Sequence, residues 1–272
     1  MEPRRANAIA ELAEHIAVQR FGGERVSPEE IASSEGIAYR YESFDEEFDG
    51  ILLYEAGRFL IVCNERRALR GSARSRFTFA HELGHYFIDE HRQALASGKM
   101  PLHFSLAEHV SDQPVETEAD HFAANLLMPA TPFRRKAADL DPGLQLISDL
   151  ATTYGASFTS TAFRALQLDV FPAPSALFRW QKNGEQSGRR ISPTTFSMFP
   201  GYRSMIASIP NGSLTEAVVA GRSLSGAKGI SDCSQWLPNV RPEDRRNVSL
   251  NEEAMSIGHF GWLTLLYRNT QF

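Results

Sequence analysis

The chain has 272 residues, 42% of them hydrophobic and 22% charged, which is enough apolar material for one good core and a second, smaller one and excludes a disordered or fibrous protein. Twenty-eight basic against 33 acidic residues leave a formal net charge of −5, so neutralising a phosphate backbone is not its main work and any nucleic-acid contact is local. Two cysteines, Cys63 and Cys233, are too few for a disulfide scaffold or a cysteine-built zinc module, and neither the start of the chain nor any later stretch is apolar enough for a signal peptide or a membrane span.

The expectation is therefore a soluble, cytoplasmic protein with no membrane partner. Ala6, Ile9, Ala10, Leu12, Ala13, Ile16 and Ala17 recur at helical spacing. A second helix is expected at Ser27, where Ser-Pro-Glu-Glu supplies an N-cap, a proline at the first helical position and a glutamate at the third. Ile37 to Tyr41, Ile51 to Tyr54 and Arg58 to Cys63 read as strands, the last two joined as a hairpin through Glu55-Ala56-Gly57. Arg66 to Arg76 is a polar, arginine-rich connection, Phe77 to Ile88 a strongly apolar helix, and Val115 to Leu127 another that stops before Pro129. Leu144 to Ala151, a turn at Gly155-Ala156-Ser157 and a helix through Thr161, Ala162 and Ala165 resemble a helix-turn-helix. Beyond Pro172-Ala173-Pro174 the composition shifts to Gly, Ser, Pro and Asn with short strand-like runs ending in Gly261 to Tyr267.

Chemistry concentrates in His81-Glu82-Leu83-Gly84-His85. On a helix, residues four apart lie one above the other, so His81 and His85 form a two-imidazole clamp. A catalytic zinc takes three protein ligands and keeps a position for water, whose pKa it lowers to about 7. Glu82 projects beside that position as the general base. Two partly buried imidazoles on an otherwise apolar helix need partners, and one metal satisfies both. The third ligand has several candidates. His91 has the metzincin spacing, but Ile88 stands where that pattern needs a turning glycine. Glu108, Glu116 and Glu118 are the carboxylate alternatives, and the last two fall in the expected Val115 to Leu127 helix.

Arg76 to His85 together with Glu116-Thr117-Glu118-Ala119-Asp120-His121-Phe122-Ala123-Ala124-Asn125-Leu126-Leu127-Met128-Pro129 resembles the ImmA/IrrE family of metallo-endopeptidases. The resemblance implies a gluzincin-like zinc site in which the glutamate opening the family's Glu-Ala-Asn/Asp-x-Phe-Ala block is the third ligand, by position Glu118. It also implies that Arg58 to Asn64 is similar to the family's edge strand beside the active-site helix. The implied substrate is a helix-turn-helix repressor whose cleavage releases DNA-damage, phage, mobile-element, defence or other stress genes.

An edge strand at Phe59 to Val62 would let an extended peptide add on as a further strand. Asp89 is a candidate to orient a ligand imidazole, although an exposed helix acid is the plainer reading. His121 is a candidate ligand or oxyanion donor, and Tyr54 and His103 are candidate oxyanion stabilisers. The run Arg66, Arg67, Arg70, Arg74 and Arg76 reads as a solvated loop or as a patch that steers an acidic partner or nucleic acid. With Arg164 its only basic residue, Ser157 to Leu168 suits packing or repressor docking better than reading DNA. Cys63 reads as core. Cys233, in a polar loop, is a candidate inhibitory thiolate, and Trp236 and Trp262 read as small-domain core.

These readings give an α+β protein: a zincin-like metallopeptidase domain over 1–130, a helical helix-turn-helix-like segment over 131–174, and a small α+β regulatory domain over 175–272. The last resembles a GAF sensor in its place along the chain. The expected activity is that of a zinc endopeptidase with His81, His85 and Glu118 as metal ligands and Glu82 as base, with manganese as the alternative ion. Its expected partner is a helix-turn-helix repressor, with nucleic acid as a candidate activating signal. The alternative is a non-catalytic regulator that binds a repressor or DNA and keeps a structural zinc.

Overall fold

The computed structural model of the chain describes residues 1–45, 48–98, 114–198, 206, 208–237 and 248–270. Two compact units are present, Met1–Arg135 with Leu150–Ser157, and Lys136–Asp149 with Phe158–Phe272.

The first unit opens with α1 (Pro3–Phe21), which starts on proline and ends where Gly22 takes the left-handed conformation (φ 62°) and returns its N–H to Val18. α2 (Pro28–Ser34) begins as the sequence predicts: the Ser27 side chain accepts a hydrogen bond from the Glu30 N–H at 3.3 Å. Three strands follow, β1 (Ala38–Glu42), β2 (Gly50–Glu55) and β3 (Arg58–Asn64). The β2–β3 hairpin turns through Ala56 (φ 49°) and Gly57 (φ 79°), both left-handed as a two-residue type I′ turn demands.

The sheet order is β1-β3-β2, with β1 parallel and β2 antiparallel to β3. The expected edge strand at Phe59 to Val62 is therefore corrected: β3 is central, and the edge beside the helix that carries His81 and His85 is β2. Ile61 and Cys63 of β3 enter the main core while Leu60 and Val62 pack on the opposite face with Phe48 and Ile51, and β2 is likewise apolar on both faces through Leu52 and Ile51.

α3 (Ala73–Phe87) starts a turn earlier than expected because the Ser72 side chain caps it, accepting from the Ser75 N–H at 3.2 Å. It stops at Ile88, which is extended (φ −77°, ψ 108°), and α4 (Asp89–Ala96) begins at the next residue. No glycine is needed there, since an extended residue with a buried apolar side chain breaks the helix equally well. α5 (Pro114–Leu127) matches expectation and α6 (Ala130–Ala138) follows. Phe79, Ala80 and Leu83 of α3 pack with Phe122, Ala123 and Leu126 of α5 and with Ile9 and Ala13 of α1 in one buried cluster.

The arginine run proves to be a set of ties rather than a free basic patch. Arg74 forks onto buried Asp49 (Nε to Oδ1 3.0 Å, Nη2 to Oδ2 2.9 Å), and Arg67 approaches the same carboxylate at 3.6 Å. Arg66 pairs with Asp45, and Arg70 lies over the Tyr41 ring at 4.8 Å. Arg76 points inward and donates to the carbonyls of Val26 (2.7 Å) and Gly155 (3.1 Å).

Gly84 sets how closely α3 and α5 approach. A Cβ there would stand 3.1 Å from Ala119 Cα and 3.2 Å from Ala119 O. The Gly84→Ala substitution gains about 1 kcal/mol of helix propensity. Overpacking against backbone atoms, which cannot rotate away, costs about 1–3 kcal/mol. Chemical denaturation of the metal-free protein is therefore expected to show a net loss of about 1 kcal/mol, and zinc titration a weaker site.

In the second unit, the strands β4 (Ser175–Trp180), β5 (Gln186–Ile191), β6 (Ala227–Asp232), β7 (Ser249–Ser256) and β8 (Trp262–Arg268) form one antiparallel sheet in the order β5-β4-β8-β7-β6. The short helices α9 (Pro193–Met198), α10 (Leu214–Val219) and α11 (Cys233–Trp236) accompany it. Along the stretch read as helix-turn-helix-like, the chain forms α7 (Leu144–Tyr154), a turn with Gly155 at φ 61°, and α8 (Phe158–Gln167). Arg164 on α8 is buried and donates to Gln167 at 3.1 Å, so the helix presents no exposed cation to a phosphate. Trp236 fills the core of this unit as expected, together with Trp180 and Phe178, and Trp262 is partly buried against them. Cys233 opens α11 and lies in that same core, which corrects the reading of a polar loop and removes it as an inhibitory thiolate.

Candidate metal centre

α3 delivers the two imidazoles, and α5, held against it at Gly84, delivers the carboxylate. His81 Nε2 and His85 Nε2 are 3.1 Å apart. Glu116 reaches both, Oε2 at 3.2 Å from His81 Nε2 and Oε1 at 3.2 Å from His85 Nε2. All three residues are buried. Atoms 2.0–2.1 Å from a tetrahedral zinc stand about 3.3–3.4 Å from one another. The two ring nitrogens stand close to that separation and each faces a different oxygen of the one carboxylate, so the three side chains converge as ligands of one small divalent ion would, and two ring nitrogens facing each other are better explained as co-ligands than as a hydrogen bond. Among the described residues this is the group of three whose donor atoms converge, all lying within 4.8 Å of one another.

The third member is Glu116. Glu118 points elsewhere: its Oε2 accepts from Arg5 Nη2 on α1 at 2.8 Å and lies 3.2 Å from His91 Nε2. Arg5 also forks onto Glu90 at 3.0 and 3.1 Å. His91 is buried, with its ring centroid 5.3 Å from that of His85, but it stands with Glu118 rather than in the triangle. His121 faces α1, its Nε2 3.0 Å from the Ala6 carbonyl oxygen. Asp89 pairs with Arg92 as an exposed helix acid would. Tyr54 sits on β2 against Phe59, and Glu108 and His103 lie outside the described residues.

Sequence reasoning gave no role to Asp120. Its Oδ1 lies 2.8 Å from His81 Nδ1, which fixes that ring with Nε2 towards the triangle, as a carboxylate behind a metal-binding histidine does. In the metal-free protein, burial works to lower the His81 pKa, but Asp120 and Glu116 outweigh it and push the ring up to about 10. Burial likewise opposes the charged form of Glu116, and the two histidines override it, holding the carboxyl below the usual range. Asp120→Asn is expected to weaken zinc binding by about 10- to 100-fold without unfolding the protein, as read by competition with a chromophoric chelator.

Glu82 is buried beside β2. A Cβ on Gly50 would stand 2.9 Å from Glu82 Oε1 and 2.5 Å from Thr78 Cγ2, so the glycine leaves room for the carboxylate against the strand. Cys63, paired with Gly50 across the hairpin, is core as expected, and burial and then the Glu82 charge push its thiol pKa up.

A family model described as the IrrE N-terminal-like domain of the M78 peptidases matches residues 32–166, a span that contains His81, Glu82, His85, Glu116 and Asp120. The chain belongs to the ImmA/IrrE family. No curated protein matches it in sequence. Among solved structures, a Mycobacterium tuberculosis transcriptional regulator is similar at a TM-score of 0.55 and 14% identity, over 97% of this chain and 78% of that one. That likeness speaks to the fold. Within this ImmA/IrrE chain, the glutamate standing with the two histidines is the one two residues before the Glu-Ala-Asp block. No helix among the described residues is long and apolar enough to cross a membrane.

Proposed function

We propose that the chain is a zinc-dependent endopeptidase that cleaves a helix-turn-helix transcriptional repressor and so releases stress, DNA-damage, phage, mobile-element or defence genes. The observation that carries the reading is the buried triangle of His81, His85 and Glu116 with a second carboxylate, Glu82, next in sequence to His81. When bound there, zinc would supply a Lewis acid for the scissile carbonyl and lower the pKa of the attacking water. The chain's own residues do the remainder. His81, His85 and Glu116 hold the ion, and Asp120 keeps His81 in the binding tautomer. Glu82 accepts the water proton and returns it to the leaving nitrogen. The outer edge of β2, which pairs only with β3 among the described residues, offers backbone groups to an extended peptide.

Family membership supports the repressor as substrate class. Manganese remains the alternative ion, and nucleic acid the candidate inducing signal. A GAF-like sensing role for 175–272 is supported by the small antiparallel sheet unit that contains this span. The decisive experiment incubates the full chain with the helix-turn-helix protein encoded beside it, with and without a chelator and with and without DNA. Chelator-sensitive cleavage at one bond is expected. An intact repressor under every condition would refute the reading.

A further inference from the structure

Beyond Glu82, three aromatic rings line up at the end of the β2–β3 hairpin. Glu82 and Tyr86 are one turn apart on α3 and share a face. The Tyr86 ring stands edge-on to Phe59 of β3 at 5.1 Å, and Phe59 lies against Tyr54 of β2 at 4.8 Å. The register of the hairpin pairs Tyr54 with Phe59 directly. Tyr54 is 39% exposed, and Phe59 and Tyr86 are half-buried.

Alternation along β2 puts Gly50, Leu52 and Tyr54 on one face. Gly50 lies against Thr78 and Glu82 of α3, and Leu52 is buried in the core with Phe79 and Leu83, so Tyr54 emerges on the face that carries the base. Four residues of strand span about 13 Å. A peptide laid along β2 past Glu82 would therefore bring one side chain to the rings about three to five residues from the bond being cut, on one side of it. Partly exposed rings recognise apolar and aromatic groups, because burying their remaining apolar surface against such a group is favourable. Arg92 lies over the Tyr86 ring at 5.4 Å, so Tyr54 and Phe59 offer most of that surface.

We infer that Tyr54, Phe59 and Tyr86 form a specificity subsite for a large apolar or aromatic side chain of the substrate. The inference rests on the endopeptidase reading above, and its test separates the two. The zinc-loaded full chain is given a randomised peptide library and the cleavage products are sequenced. In parallel, the zinc-loaded Glu82→Gln protein is used to select binders from the same library.

Enrichment of Leu, Phe, Tyr or Trp over Ala is expected at one position about three to five residues from the cut. Tyr54→Ala should reduce that discrimination roughly tenfold, mainly through KM, while Tyr54→Phe restores it. Equal zinc content in both variants shows that the metal centre is intact. An unchanged preference in Tyr54→Ala, or no apolar preference in the wild type, overturns the subsite. If nothing is cleaved but Tyr54-dependent selection persists, the endopeptidase reading falls and the subsite stands. If neither cleavage nor Tyr54-dependent selection is seen, both fall.

Discussion

Glu82→Gln is expected to bind one zinc per chain as the wild type does and to cleave the repressor about 10²- to 10⁴-fold more slowly. The amide keeps the volume and leaves His81, His85 and Glu116 in place, so metal analysis and melting behaviour should not change. What it removes is the proton acceptor for water and, after transfer, the acid for the leaving nitrogen. Cleavage at the wild-type rate would refute the role given to Glu82. Retained control of the target genes in cells carrying this variant would favour the alternative, a non-catalytic regulator with a structural zinc.

Glu116→Ala and Glu118→Ala should separate cleanly on zinc content. Removing Glu116 takes away one of three donors, and the affinity loss should exceed the roughly 10- to 100-fold that follows removal of a supporting partner. Removing Glu118 breaks its contacts with Arg5 and His91 instead. Because that pair is partly exposed, with Arg5 at 34% and Glu118 at 15%, the expected cost is about 1 kcal/mol of stability or less with zinc retained. Loss of zinc in Glu118→Ala with retention in Glu116→Ala would reverse the assignment of the third ligand.

How far the sequence spoke depended on how local each signal was. His81 and His85 were legible because helical spacing alone stacks them, and the hairpin because the residues of its turn announce it. The third ligand was harder, since its identity depends on which side of α5 meets α3. At 100° per residue, the stripe Ala119, Phe122, Ala123, Leu126 and Leu127 centres about 50° from Glu116 and about 110° from Glu118. That angle is available in the sequence, but Glu118 also borders the stripe one turn before Phe122, and the position of the family block points to it as well. The strand order was not available in this way, because the parallel pairing of β1 with β3 skips the strand between them. α4 was missed because the break falls on Ile88, a residue with no turn signature. Asp120 gained a role only once the rotation of α5 was known, and the inward course of Arg76 only once its carbonyl partners were placed.

The clamp of Arg74 on Asp49 has a mechanical consequence. Asp49 immediately precedes Gly50, and Arg74 belongs to the first turn of α3, so strand β2 is bolted to the helix that bears His81, Glu82 and His85. That one ion pair therefore sets where Gly50 stands against α3, and with it the room that the missing Cβ leaves for the Glu82 carboxylate, so a change at Asp49 or Arg74 would be felt at the proposed base.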